Sequence, residues 1–462
     1  MTIYDTLSGE EKELTPIVPG KIKMYVCGPT IYNLIHIGNA RPMIIFDSFR
    51  RFLEYSGYEV TMVQNFTDID DKIINKANSE NVSCDEISER YINEFWKDSE
   101  LLNIRAPNFS PKTTNYVDNI IKFIEELIKK GFAYQSGGDV YFRVRKFDKY
   151  GELSHRNIED MRSGSRIEIS DIKEDPLDFA LWKNAKEGEP YWESPWGKGR
   201  PGWHIECSVM STELLGKEFD IHAGGNDLIF PHHENERAQS IALHGTNFAN
   251  YWMHNGMIKV SGDKMSKSIG NIWLVREVIK KYGPDTLKIF VLSKHYRSPI
   301  DFNEEGLEAQ KKSVDRVQES LLSAEEFFGG NVPFVKHSEN YEKEKEYIKN
   351  SLSVDFNTPK ATAKIFDYSR EINKAITDKD EKAVAEYYYL IKNEIGSIFG
   401  LFLSTSEKKG NKTDDIMKIV TELRTVLKKN KNYELSDFIR NKLGEIGIEI
   451  KDTPTGTEYR IK

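Results

Sequence analysis

Cys27, Cys207 and the run Pro231-His232-His233-Glu234-Asn235-Glu236 carry the donor types that a soft divalent metal takes. In a helix, His232 and Glu236 would share one face, because residues four apart stack one above the other. Cys27 falls at the end of a predicted strand, and Cys207 follows Trp203-His204-Ile205-Glu206. Together these residues make a set of two thiolates, one imidazole and one carboxylate that suits zinc. Spacing alone leaves a second reading equally open, in which both cysteines are plain buried thiols, because the chain has no Cys-x-x-Cys pair. The His-Glu-x-x-His spacing of zinc hydrolases is absent, and a hydrolase would leave a lysine-rich loop downstream without a task.

Two further stretches suit a polyphosphate. His36-Ile37-Gly38-Asn39 stands between a predicted strand and a helix N-terminus. There backbone N–H groups and the helix dipole favour phosphate, and a glycine allows close approach. Lys264-Met265-Ser266-Lys267-Ser268, followed by Ile269-Gly270-Asn271, reads as a polar loop whose two lysines could neutralise charge developing at transfer. Either stretch alone could be an ordinary turn or a solvated loop. Both fall at the carboxyl ends of predicted strands of one sheet.

The elements that must position these residues follow from the apolar pattern. Ile22, Met24 and Val26 predict a strand ending at Cys27, with a turn at Gly28 and Pro29. A helix is expected from about Ala40 to Ser56, with Ile45, Phe49 and Phe52 as its stripe and Gly57 as its cap, then a strand through Val60, Met62 and Phe66. Strand, helix, strand is the unit of a parallel nucleotide-binding sheet. From about Ile104 to Pro201 the pattern reads as an insertion, with a helix near Asn115 to Lys130 and a strand around Val140, Phe142 and Val144. The sheet then resumes with a strand near Phe219 to Ala223, a helix starting at Pro231 and a strand near Tyr251 to Ile258. Beyond Pro284, amphipathic helices are predicted over 304–328, 341–352, 359–377 and 382–399, and a polar break from Ser404 to Asp414 precedes a small tail.

Composition narrows the class. The 462 residues exceed one ordinary core, and a net charge of -8 argues against a protein that coats nucleic acid nonspecifically. Three cysteines, Cys27, Cys84 and Cys207, give no disulfide framework, and Cys84 suggests no role. No apolar run approaches the roughly 20 residues that span a bilayer, and the first residues lack a secretory core, so a cytoplasmic location off the membrane is expected. From Ser406 onward, 13 Lys and Arg face 10 Asp and Glu, and Phe438, Arg440, Lys442, Tyr459 and Arg460 could make an aromatic and basic surface for a single-stranded loop or simply a solvated face.

With both phosphate motifs, the four metal-type residues and the stretches Asn65-Phe66-Thr67-Asp68-Ile69-Asp70-Asp71-Lys72, His222-Ala223-Gly224-Gly225-Asn226-Asp227 and Gly256-Met257 in view, the chain resembles the cysteinyl-tRNA synthetases, a class I aminoacyl-tRNA synthetase family. The resemblance covers essentially the whole chain. It implies an α/β fold: a Rossmann-type parallel sheet split by an inserted domain, followed by a helical bundle and a small C-terminal α/β anticodon-binding domain. The corresponding division is 1–104 and 201–260 for the two catalytic halves, 105–200 for the inserted connective domain, 261–335 for the lysine-loop and stem-contact region, 336–403 for the bundle and 404–462 for the tail. It implies one Zn2+ per chain on Cys27, Cys207, His232 and Glu236, and ATP with Mg2+ held by His36, Gly38, Asn39, Gly225, Asp227, Lys264 and Lys267. His36, Asn39, Lys264 and Lys267 are the expected catalytic residues, and Thr67 and Trp203 the amino-acid pocket. His204, His233 and Glu234 are expected to support the zinc. The implied partners are L-cysteine, ATP and tRNA(Cys), with the chain a monomer.

Two positions depart from the pattern: Asn39 stands where the class usually has histidine, and Tyr459 where the family usually shows tryptophan. Two alternatives remain at this point. One is a cysteine ligase of the same ancestry acting on a small amine, which would not need the domains after Pro284. The other is an RNA-binding protein with a structural zinc.

Overall fold

A computed structural model describes residues 1–158, 172–260, 263–264, 272–334, 338–402, 412–430, 432–445, 448–453 and 456–461 of the chain. Its central sheet has four parallel strands, β1 (Lys21–Val26), β2 (Glu59–Gln64), β3 (Phe219–Gly225) and β4 (Ala249–Asn255), in the order β4-β3-β1-β2. The helices that matter for the site are α1 (Ile37–Tyr55), α2 (Trp203–Leu215) and α3 (Glu234–His244). At the carboxyl end of β1, Met24, Tyr25 and Val26 are all buried, and β3 is buried from Phe219 to Gly224. Such unbroken burial is what a parallel sheet covered by crossover helices produces.

The insertion between β2 and β3 is a second, antiparallel sheet of Ala133–Ser136, Asp139–Phe142, Phe179–Asn184 and Gly199–Pro201, packed on the helix Val117–Lys129. Ile120, Phe123, Ile124 and Leu127 of that helix face inward, and their core extends to Ile205 and Val209 of α2 and Ala238 and Ala242 of α3. The two helices bearing Cys207 and Glu236 are therefore wedged between the two sheets, which fixes their side chains on both sides.

After β4, helices run over Glu304–Phe327, Glu339–Ser353, Thr358–Asp378 and Glu381–Tyr389. Three of the four start on a side-chain cap: Asn303 accepts from Gly306 N–H at 2.8 Å, Ser338 from Tyr341 N–H at 3.1 Å and Asp380 from Ala383 N–H at 3.0 Å, while Thr358–Asp378 starts with Pro359 in its first turn. The chain divides into two compact units, Met1–Leu401 and Phe402–Lys462. The second holds helices Lys412–Lys429 and Tyr433–Glu445 and an antiparallel hairpin of Ile448–Thr453 with Gly456–Ile461, around Met417, Ile448 and Ile450. Among the described residues no helix is long and apolar enough to cross a membrane.

Several local expectations need correction. Helix α1 starts at Ile37, not near Ala40, because Asn39 Oδ1 accepts the N–H of His36 at 3.2 Å and caps the helix within the motif itself. Phe66 lies beyond β2, which ends at Gln64, and Val144 sits in a short 3₁₀ turn rather than a strand. Three strands of the inserted sheet were not expected, since they are short and hold little alternating pattern. The helix expected to start at Pro231 does so: Phe230 is extended, and helical backbone follows it through His233 into α3. The strand expected to run to Ile258 breaks after Asn255, and Ile258–Val260 joins a separate sheet beside Ile300–Phe302.

Candidate active site and metal centre

A cavity of about 350 Å³ opens at the carboxyl ends of the parallel strands. Its lining includes Cys27, His36, Gly38, Asn39, Thr67, Trp203, Cys207, Gly225, Asp227 and His232. These residues come from five separate parts of the sequence, and such a crevice outside the strand ends is where open α/β sheets bind ligands. Gly28 makes the floor possible: a Cβ there would lie 1.7 Å from the Asn65 carbonyl oxygen, and its N–H donates to Asn65 Oδ1 at 2.9 Å.

At the inner end, ligand atoms of Cys27, Cys207, His232 and Glu236 all lie within 4.8 Å of one another. Cys27 Sγ is 3.8 Å from Cys207 Sγ and 3.6 Å from Glu236 Oε1, and His232 Nε2 is 3.0 Å from Glu236 Oε1. Zinc bonds of about 2.3 Å to sulfur and 2.1 Å to oxygen in a tetrahedron put two sulfurs about 3.8 Å apart and sulfur and oxygen about 3.6 Å apart. The donor set thus fits zinc in both type and spacing. A second set, Cys27, His222, His233 and Glu236, is equally compact. His222 and His233 are fully buried and do not line the cavity, whereas Cys27, Cys207 and His232 do. A metal in the first set alone faces an incoming ligand.

Around the donors runs a chain of rings, buried except for the exposed Trp203 and the half-buried His204. Nδ1 of His232 is 3.0 Å from Nδ1 of His204, and Trp203 stacks on His232 with ring centroids 4.3 Å apart. His222 Nε2 meets Glu236 Oε2 at 2.8 Å, while His233 links Cys27 Sγ at 3.3 Å to His254 at 2.8 Å, and His254 reaches the Thr6 hydroxyl at 2.7 Å. Burial raises the cost of ionising Glu236, but the flanking His222 and His232 win and hold its carboxyl well below the usual range. Burial also opposes charge on His232, yet Glu236 and Cys207 raise it to about 10. His233 and His254 go the other way: burial and then His222 keep both neutral, with His254 down at about 3. Glu236 is thus an anionic carboxylate beside the neutral His233 and His254, and a metal taking His232 as ligand would displace its proton.

Other expected residues fall as follows. Thr67 lines the cavity and donates to Glu206 Oε2 at 2.9 Å, to which Thr113 also donates at 2.7 Å. Burial, then the neighbouring Cys207, pushes the Glu206 carboxyl well above its ordinary value, and by accepting from the Thr67 hydroxyl it orients that side chain. Gly225 ends β3, and Asp227 sits in the turn just after it. Pro42, inside α1, lacks the N–H that would bond the Gly38 carbonyl, and both residues line the cavity. His204 and His233 support the donors, but Glu234 does not: it accepts from Ser154 N–H at 2.8 Å and ties down the insertion. Lys264 is in a short strand opposite Lys259, and Lys267 lies outside the described residues. Phe438 is exposed on the tail helix; Tyr459 and Arg460 fall in the last strand. Sequence reasoning missed Glu206, His222, His254 and Arg41, all buried polar residues amid apolar runs, a signal legible only in hindsight as polar groups on otherwise core strands and helices.

Residues 13–312 match the family described as tRNA synthetases class I (C) catalytic domain, and residues 349–403 match the DALR domain. The chain is 59% identical over 460 residues to the cysteine–tRNA ligase of Petrotoga mobilis, covering 99% of this chain and 98% of that one. It is 54% identical over 462 residues to the cysteine–tRNA ligase of Thermotoga maritima, covering all of both. The chain belongs to the cysteine–tRNA ligase family of class I tRNA synthetases. Among solved structures, Mycobacterium tuberculosis methionyl-tRNA synthetase in complex with methionyl-adenylate is similar with a TM-score of 0.60 at 15% identity, over 82% of this chain and 89% of that one. That likeness concerns the fold alone. It agrees with the split parallel sheet of the class. The reading as a ligase acting on a small amine finds no support among the family members, which match along their whole length.

Proposed function

We propose that this chain activates L-cysteine with ATP and transfers it to the terminal ribose of tRNA(Cys). The observation that carries the reading is one cavity that holds the thiolate-rich donor set at its inner end and the His36-Ile37-Gly38-Asn39 turn with Gly225 and Asp227 at its walls. Cys27, Cys207, His232 and Glu236 would hold one zinc ion. When bound, that ion supplies a soft Lewis acid that takes a thiolate in preference to an alcohol, which separates cysteine from serine. Trp203 and Thr67 bound the amino-acid end, and Glu206 keeps the Thr67 hydroxyl in one orientation.

ATP, with Mg2+, lies across the first turn of α1. The N–H groups of Ile37, Asn39 and Ala40 are bonded to the carbonyls of Trp273 and His36, so the Gly38 N–H, the helix dipole and the donor end of Asn39, whose oxygen is already used by His36 N–H, are what this turn offers the phosphates. Gly225 and Asp227 take the ribose. Lys264 and Lys267 neutralise the charge that grows on pyrophosphate as the cysteine carboxylate attacks the α-phosphorus. No covalent enzyme intermediate is needed, since positioning and charge stabilisation suffice. The helices after Pro284 and the unit from Phe402 serve the RNA, with 404–462 reading the anticodon. The protein acts as a monomer in the cytoplasm.

ATP–pyrophosphate exchange measured across the amino acids tests the reading. Exchange with cysteine and none with serine or methionine is the expected result. Exchange with another amino acid, or none at all in zinc-loaded protein, would refute it.

A further inference from the structure

Arg41 follows Asn39 by two residues on α1 and is buried, yet it pairs with no carboxylate among the described residues. Its Nη1 donates to the carbonyls of Gly256 at 2.5 Å and Met257 at 3.0 Å, and its Nη2 to those of Tyr296 at 3.0 Å and Ser298 at 2.5 Å. Its Nε has no partner among the described residues. Burial, with no carboxylate to offset it, draws its pKa down to about 10. A buried cation held only by carbonyls is costly, so the arrangement must do something a leucine at this helical site would not.

What it does is gather two chain segments at one point. Gly256 N–H donates to the Tyr296 carbonyl at 2.8 Å and Ile300 N–H to that of Met257 at 3.0 Å. The segments are so close that a Cβ on Gly256 would stand 2.5 Å from the Ser298 oxygen and 2.6 Å from that of Arg297. Four carbonyl oxygens converging in this way repel one another, and a planar guanidinium with several fixed donors is the side chain that can bind them together. Gly256, Met257 and Ile258 line the same cavity as Gly38 and Asn39. Beyond the lysine motif, Ile37 N–H donates to the Trp273 carbonyl at 3.0 Å and Val275 N–H to that of Ile35 at 3.1 Å. Residues 35–41 thus hold the chain on both sides of that motif.

We propose that Arg41 is a positioning residue for the nucleotide: it fixes the wall Gly256–Ile258 against the first turn of α1, so that ATP lying between them meets both at once. This rests on the reading of the cavity as the ATP and cysteine site. Arg41 makes no hydrogen bond to Cys27, Cys207, His232 or Glu236, so the amino-acid end is independent of it.

The test uses the full chain. Arg41→Lys keeps the charge but cannot span four carbonyls, and Gly256→Ala keeps Arg41 but drives a methyl group between the two segments. Each should raise the KM for ATP in cysteine-dependent pyrophosphate exchange by about tenfold or more, while the dissociation constant for cysteine, read by equilibrium dialysis, stays within about twofold. A purely structural role would instead lower the melting temperature and weaken both substrates alike, and that outcome overturns the proposal, as does an unchanged KM for ATP. Should Arg41→Lys fail to fold, Gly256→Ala decides by the same split. Absence of exchange in the parent protein would refute the functional reading itself, a result distinct from either variant matching an active parent.

Discussion

Replacing Cys207 with serine puts the metal centre to its sharpest test, because the two compact donor sets differ in that residue. One holds two thiolates, Cys27 and Cys207; the other holds Cys27 alone, with His222 and His233 in place of Cys207 and His232. Four-ligand zinc sites bind with about 10–16 kcal/mol, so one ligand is worth about 2.5–4 kcal/mol and its loss lowers affinity by about 10²- to 10³-fold. Cys207 is buried within α2, and serine is nearly isosteric, so the helix and its packing should survive. Zinc content after dialysis against a competing chelator gives the affinity, and cobalt substitution gives the thiolate count. Cys207→Ser should lose most of its zinc, and any cobalt retained should show half the thiolate-to-metal absorption. Undiminished zinc affinity with an unchanged cobalt spectrum would refute the geometric choice and move the ion to the set around His222.

Three further outcomes follow from the same reasoning. Lys267→Ala should slow adenylation by about two orders of magnitude with cysteine affinity little changed, as single-turnover kinetics would show; equal rates would remove the lysine from the mechanism. A chain ending after Leu403 should keep cysteine-dependent exchange but lose aminoacylation through a raised KM for tRNA, with a shallower salt dependence of RNA binding; full charging by the shortened chain would deny the tail its role. Lys288 is buried and donates to the Gly400 carbonyl at 3.1 Å, and burial, against the pull of Asp47, holds its pKa at about 8 rather than 10.5. Because the folded value is the lower one, the unfolded chain binds more protons between these pH values, so stability rises across that window by up to about 3 kcal/mol. Lys288→Met should abolish that rise, and melting temperatures of parent and variant that keep a constant difference from pH 7.5 to 10 would contradict it.

The local chemistry of this protein was legible in its residues. Alternating Ile22, Met24 and Val26, the turn at Gly28 and the polar caps ahead of three of the later helices specify strands, helices and their ends through short-range forces that act within a few positions. The two candidate phosphate motifs and the four metal-type residues could be singled out for the same reason, since residue type and order are local, and the structure gathers His36, Gly38 and Asn39 with Cys27, Cys207 and His232 around one cavity. Which donors face a ligand was not. Cys27 and His233 are as close as Cys27 and Cys207, and only the cavity tells them apart. The roles of Glu206, His222, His254 and Arg41 were not readable from the sequence because a buried polar group acquires its role from partners far along the chain: Thr67 and Thr113 for Glu206, Glu236 for His222, Thr6 for His254, and the carbonyls of Gly256 to Ser298 for Arg41. Burial strips these groups of water, so each must find its partner within the protein. Tertiary packing alone decides which partner that is.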